Sequence, residues 1–414
     1  MTGATFRKNH FPFGLGSLQG NVAVIAVSNA VKVFGAGIIG IYVPLYFIRL
    51  GGSPVFIGIM TSVSSIIQCI FLFLGGFIAD YHGRRRIIVL TAFYGTFFPL
   101  FYAMIPDWRI FAMLSVIAVI GVLSSPASHA IVADSVPPKS RAVGIASLQV
   151  VSSLPATVSP LIGGWLIQTY GLIDGFRLAC IYVAVTALAS ALILFLFLKE
   201  TLNMGTAKKS SNLDLGTFTN SFKFSDPLST SLKALMLSYA LIILANGAVG
   251  QYYILYVYRV IGLTPLEWGA IVSMQLLLAN ILKIPGGWLS DRFGKKKMMT
   301  ISVLTCAPCT VLFTLSTTFV QVSIVALLLV LTGTYYAPVY EALQADLTPR
   351  DLRGRVTALW GIASTISLAL GALLGGFLFE AVNPNAPFYL FTLIEVVAAF
   401  ITIGIIREPA KKEI

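Results

Sequence analysis

An all-α membrane protein, with twelve transmembrane helices in two pseudo-symmetric six-helix bundles, is what this sequence predicts, on three observations. Of 414 residues, 57% are hydrophobic and only 11% charged, with mean hydropathy +0.88; a soluble globular chain carries about 25% charged residues. Apolar runs of roughly 20 residues, long enough to cross a bilayer as helix, recur along the whole chain. Short phrases then return at nearly one offset, which marks an internal duplication.

The runs are about twice strand length and do not alternate, so a barrel is excluded and each span is helical. Spans are expected near 19–48, 54–79, 87–106, 109–133, 142–168, 176–198, 231–259, 265–290, 298–315, 318–342, 355–380 and 387–406. The first carries Lys32 and the phrase GAGIIGIY at 35–42. The second runs out in GGFIADYHGRRR at 75–86, and the fourth leads into ADSVPPKSR at 133–141. The fifth contains PATVSPLIGG at 155–164. The seventh opens the repeat with ANGAVGQY at 245–252, an offset of 210 from its counterpart. The eighth ends in GGWLSDRFGKKK at 286–297, so that Asp291 stands 211 residues after Asp80. The tenth leads into ADLTPRDLR at 345–353, and the eleventh carries LLGGFL at 373–378, each 212 residues after its first-half counterpart. The ninth holds CAPC at 306–309, a redox spacing that inside a span reads as packing, with Pro308 kinking the helix.

Three units follow: an N-terminal six-helix bundle at 1–198, a polar linker at 199–230 with an amphipathic turn near Phe218–Phe224, and a C-terminal bundle at 231–414. Parallel repeats of this kind face each other across an axis normal to the membrane.

Charge placement sets the orientation. Of 28 Lys and Arg residues, 22 fall on the side of both termini and 4 (Arg49, Arg109, Arg177, Arg259) on the other, with Lys32 and Lys283 inside spans. Cations concentrate on the cytoplasmic side, so both termini are expected there. The net charge of +12 sits in these short loops and points to lipid headgroups rather than nucleic acid. No cleavable signal is expected, because the first apolar run is too long for one.

The two elbow phrases need more than topology to explain them. Arg84–Arg86 and Lys295–Lys297 complement the negative helix ends, and Gly83 and Gly294 permit a left-handed turn. Asp80 and Asp291 weaken a topology signal, but beside a cation cluster they form charge-assisted pairs that make and break between conformations. Gly76, Asp80, Gly83, Arg84 and Arg85 resemble the signature loop of the major facilitator superfamily, and Gly287, Asp291, Gly294, Lys295 and Lys296 repeat it. Arg292 matches the family's basic residue after the aspartate, whereas Tyr81 stands there in the first half.

The resemblance covers the whole chain and implies the MFS fold and a cytoplasmic gate. In that gate Arg84 bridges Asp80 to Asp134, and Arg141, Asp346 and Arg353 belong to the same set. Pro155, Ser159, Pro160, Gly163 and Gly164 are similar to a fifth-helix pattern of family exporters, with Pro155 and Ser159 in place of two glycines; ordinary small-residue packing is the alternative.

Ionisable groups deep in spans are costly and mark candidate sites. Lys32 lies 17 residues before Arg49, about 25 Å along a helix, too deep to snorkel. On the first helix, which lines the family's central cavity, it reads as a contact to substrate or coupling ion, or else as a buried structural partner. His129 and Glu341 are mates at an offset of 212, each five residues before an aspartate. Either could titrate. Lys283 is at similar depth to Glu341, and a gate ion pair between them is expected, with a proton or substrate site as the alternative. Glu395, mid-span in the usually peripheral twelfth helix, reads as structural. Asn29, Tyr42, Tyr46, Asn246, Gln251, Tyr252, Tyr256, Gln275, Tyr335 and Tyr336 are expected as polar and aromatic lining.

Ile117 stands where many proton-coupled members carry arginine, and no acid lies in the core of the first six spans. The resemblance therefore implies a secondary transporter of the plasma membrane, working by alternating access as a monomer, without a cofactor or metal. An anionic or neutral organic solute is favoured, exported with a proton or other coupling ion. A broad-specificity multidrug exporter and a non-transporting sensor on the same fold are the alternatives. An enzyme is not expected: there is no H-E-x-x-H, P-loop or nucleophile motif.

Overall fold

Among the described residues of this integral membrane protein, twelve helices are long and apolar enough to cross a membrane: α1 (Asn21–Gly40), α2 (Pro54–His82), α3 (Arg84–Met104), α4 (Trp108–Ser135), α5 (Ser147–Tyr170), α6 (Leu172–Phe197), α7 (Thr230–Ile261), α8 (Pro265–Lys283), α9 (Lys295–Leu315), α10 (Phe319–Leu347), α11 (Arg355–Ala381) and α12 (Ala386–Gly404). The computed structural model describes residues 19–136, 141–202, 228–334, 336–349 and 352–408. Most of the expected linker, including Phe218–Phe224, lies outside them, as does Tyr335.

Three of the spans, the first, fifth and seventh, depart from the straight helices expected. The first expected span is broken: α1 stops at Gly40, and after a turn at Ile41–Tyr42 a short helix, Val43–Arg49, carries the chain to the far face. α7 turns at the matching place, Gln251–Tyr252. α5 is interrupted by a 3₁₀ turn at Pro155–Thr157 and resumes at Ser159, since proline removes a donor and clashes with the preceding turn. The chain also reverses at Gly83 and Gly294 with φ of +95° and +94°, values that glycine adopts without a Cβ penalty.

In the first half α6 packs on α1 and α3; in the second, α7 packs on α11 and α12. The halves meet along two seams, α2 with α11 and α5 with α8, which exchange under the repeat. Large apolar residues outside these contacts, such as Met104, Met113, Val185 and Phe400, stay exposed, as a lipid-facing surface requires.

Candidate functional site

The two faces of the molecule are held by different chemistry. On the face away from the cation clusters, Tyr42 and Tyr252 occupy the two breaks and are both fully buried. The Tyr42 hydroxyl donates to Pro160 O at 2.7 Å in its own half and lies 3.0 Å from Pro265 O across the seam. The Tyr252 hydroxyl donates to Ala372 O at 3.0 Å and lies 3.3 Å from Pro54 O across the other seam. Each phenol has one proton, so it is shared between its own bundle and the opposite one.

Glycines make this approach possible. A side chain on Gly164 or Gly269 would run into the backbone of Pro265 or Pro160, and one on Gly58 or Gly376 into that of Ala372 or Pro54. Gly163 lies against Ile38 O and Gly37 against Ser159, so the exporter-like pattern is the close-packed contact of α5 with α1 and α8.

Further bonds cross the halves on the way to mid-span. Val55 N donates to Glu380 Oε2 at 2.9 Å, Ser62 Oγ to Ala369 O at 2.5 Å and Leu161 N to Ser273 Oγ at 3.2 Å. Deepest among these is Asn280 Oδ1, which accepts from Ser153 Oγ at 3.1 Å and from Lys283 Nζ at 2.8 Å.

On the cation-rich face the described pairs stay within each half. Arg84 reaches Asp134 at 2.5 Å and Asp80 at 3.3 Å, and its twin Lys295 reaches Asp346 at 2.5 Å. The next cation in each elbow grips the end of its bundle's last helix. Arg85 donates to Leu198 O and Phe195 O, and Lys296 to Ile403 O. Glu200 accepts from Arg85 N and Glu408 from Lys296 N, placing a carboxylate at the positive start of α3 and of α9. Arg353 donates to Ala345 O at 3.2 Å. Arg292 is exposed at the end of the α8 helix, which runs on to Phe293. The side chains of Arg141 and Asp291 lie outside the described residues.

Two cavities open between these layers. The first, about 620 Å³, is lined by first-half residues including Asn29, Lys32, Gln68, Ser128, His129 and Gln149. Lys32 and His129, 97 residues apart in sequence, thus share one chamber, and its lining has no carboxylate. The second, about 520 Å³, is lined by Tyr239, Asn246, Gln275, Tyr336 and Glu395 among others, with Gly40, Ile41 and Pro44 closing it from the first half. Its lining has one carboxylate and no Lys, Arg or His.

Several expectations need correcting. Tyr252 and Tyr256 do not line a cavity: the first is the seam bond above, and the second is buried with its hydroxyl on Thr314 O at 2.9 Å. Tyr42 and Tyr46 are likewise buried in the core rather than cavity-lining. No ion pair joins Lys283 to Glu341: the ammonium turns to Asn280, one helical turn back on its own helix, while Glu341 is exposed on α10. Glu395 is not peripheral, because it lines the second cavity while only 3% exposed. Sequence reasoning also passed over Gly58 and Gly269, and Ser62 and Ser273, pairs at the repeat offset of 211 that would have marked the seams.

A family model of the Major Facilitator Superfamily matches residues 25–234 and again 235–414. Multidrug resistance protein 2 of Bacillus subtilis is 22% identical over 393 residues, covering 93% of this chain and 95% of that one. The match to the uncharacterized MFS-type transporter MJ1560 of Methanocaldococcus jannaschii is 26% over 144 residues, 35% of this chain and 37% of the relative. The fold is similar to the crystal structure of a bacterial homolog of the human lysosomal transporter Spinster, in an inward-facing and occupied conformation. That likeness has a TM-score of 0.72 at 17% identity, covering 92% of this chain and 95% of the other.

Proposed function

The chain belongs to the Major Facilitator Superfamily, and from that premise we propose that it carries a small organic solute, anionic or neutral, outward across the plasma membrane by rocking its two halves against each other. Membership makes it a secondary transporter rather than an enzyme. The cation-rich face is taken as cytoplasmic, since positive loops favour that side, which puts both termini there and makes the conformation described here closed outward and open inward.

The observation that carries the solute reading is the first cavity. An ammonium and an imidazole meet there with no carboxylate among the lining residues. A cation within a membrane span is costly unless something negative or strongly dipolar attends it, and a solute carboxylate, sulfonate or carbonyl meets that need. A proton is the coupling ion of choice, with His129 as its carrier in this cavity and Glu341 the second candidate on the opposite half. Outward transport is supported by the exporter-like packing of Pro155, Ser159, Pro160, Gly163 and Gly164, and by the name of the full-length Bacillus relative. Tyr42 and Tyr252 act as the outer gate; the pairs of Asp80, Arg84 and Asp134 and of Lys295 and Asp346 brace the inner ends of the two bundles.

The test is flux of a lipophilic organic anion into inside-out proteoliposomes. Lys32→Ala is expected to lower it at least about tenfold, the worth of one desolvated charge contact. Unchanged anion flux in that variant removes the role given to Lys32, and saturable binding without any flux removes transport itself.

A further inference from the structure

The second cavity holds chemistry that the anion reading leaves unused. Glu395 projects into it from α12 and is 3% exposed. Among the described residues no cation lies within ion-pair distance of its carboxylate. The other titratable groups of the lining are phenols and a thiol, Tyr239, Tyr253, Tyr336 and Cys306, none of which supplies a positive charge.

Two further features point to a ligand. The Tyr336 hydroxyl is buried without a hydrogen-bond partner, in a residue only 7% exposed that lines the same space. Six aromatic side chains, Tyr239, Tyr253, Trp268, Phe313, Tyr336 and Phe391, contribute to the wall. Aromatic faces attract a cation most strongly where water is excluded, and an unpaired buried carboxylate is stabilised by the same guest. At about 520 Å³ the chamber is within the range that holds a whole organic molecule, far more room than a bare proton needs.

The geometry points to a binding site for an organic cation in the second half, with Glu395 as its counter-ion and Tyr239, Tyr253, Trp268 and Tyr336 as its aromatic walls. The site is built from the opposite bundle to Lys32 and stands independently of the anion reading.

The experiment uses the purified full chain in detergent and two probes of similar size and shape, the tetraphenylphosphonium cation and neutral triphenylphosphine oxide, with binding read by calorimetry. Wild-type protein is expected to bind the cation at least about tenfold more tightly than the oxide. Glu395→Gln removes that preference, and Glu395→Asp, which keeps the charge, retains most of it. Equal affinity of the wild type for the two probes overturns the site and needs no variant to fold. An unaltered cation affinity in monodisperse Glu395→Gln overturns the role of the carboxylate. The Lys32→Ala flux assay reads the other cavity, so either site can fail while the other stands.

Discussion

The sealed face and the cation-rich face solve the same problem, holding helix ends in place, with opposite chemistry. The sealed face joins the two halves mainly through neutral groups, glycine against backbone and two phenols each shared between bundles, with the Glu380 carboxylate on Val55 N as the charged exception. The cation-rich face uses strong charges but spends its described pairs inside each half, Arg84 on Asp80 and Asp134, Lys295 on Asp346. A neutral, close-packed seam is separable at modest cost, because a hydrogen bond exchanged for one to water is worth only about 1 kcal/mol net. An ionic elbow that stays within a bundle keeps the bundle rigid while the seam opens and closes. The comparison teaches which face is the moving joint in this conformation and which is the brace.

Four experiments test the contrast. The largest effect is expected from Gly164→Leu, which drives a side chain into the Pro265 backbone. Overpacking of this kind costs about 1–3 kcal/mol or more, so flux is expected to fall at least about tenfold, and a spin-label pair at Arg109 and Thr317 to report a wider distance across the sealed face. An unchanged distance would mean that the seam does not hold the halves together.

Next comes the double variant Tyr42→Phe with Tyr252→Phe. Losing two shared hydrogen bonds removes about 2 kcal/mol from the closed form, roughly a thirtyfold change in the ratio of states. Each single variant is expected to give about half that energy; one tyrosine carrying all of it would break the symmetry drawn here.

The elbows come third. Lys295 and Asp346 are 16% and 25% exposed, whereas Asp80 and Asp134 are 59% and 49% exposed. Lys295→Ala and Arg84→Ala should each lower thermal stability by a few degrees, but only the Arg84 loss should shrink markedly in 1 M salt, because water screens its partners. Equal salt sensitivity of the two contradicts the assignment of one partly buried and one open elbow. Smallest of all, Asp107→Asn removes an exposed pair with Arg109 at 3.5 Å and should change flux by less than about twofold.

Much of the architecture was legible in the sequence. Span number, the elbows and the matched halves follow from local facts: apolar length, cation clusters and a phrase offset near 211. The pairing of Lys32 with His129 in one chamber was half visible, since each was a polar group out of place in its own span. Lys283 and Glu341 show where such reading stops. Equal depth suggested a pair, but depth along two helices says nothing of rotation or of the gap between bundles, and Lys283 finds an amide one turn away.

The buried tyrosines make the same point from the other side. Tyr42, Tyr252, Tyr256 and Tyr336 looked alike as polar groups in apolar runs, yet three sit in packed seams or core and one opens on a cavity. In a soluble helix the apolar stripe would have told them apart. In a bilayer the lipid-facing and protein-facing sides are both apolar, so helix faces are not encoded in hydropathy.

The amino-acid sequence by itself determined that this chain crosses the membrane twelve times as a duplicated bundle with a basic face, because bilayer thickness and the cost of exposed backbone leave no other use for its apolar runs. Tertiary structure alone decided which face is sealed, that Glu395 lies in a cavity rather than at the rim, and which polar groups share a chamber. Those outcomes depend on how each helix is rotated and how closely glycines let neighbours approach, and both are settled by packing between segments far apart in the chain.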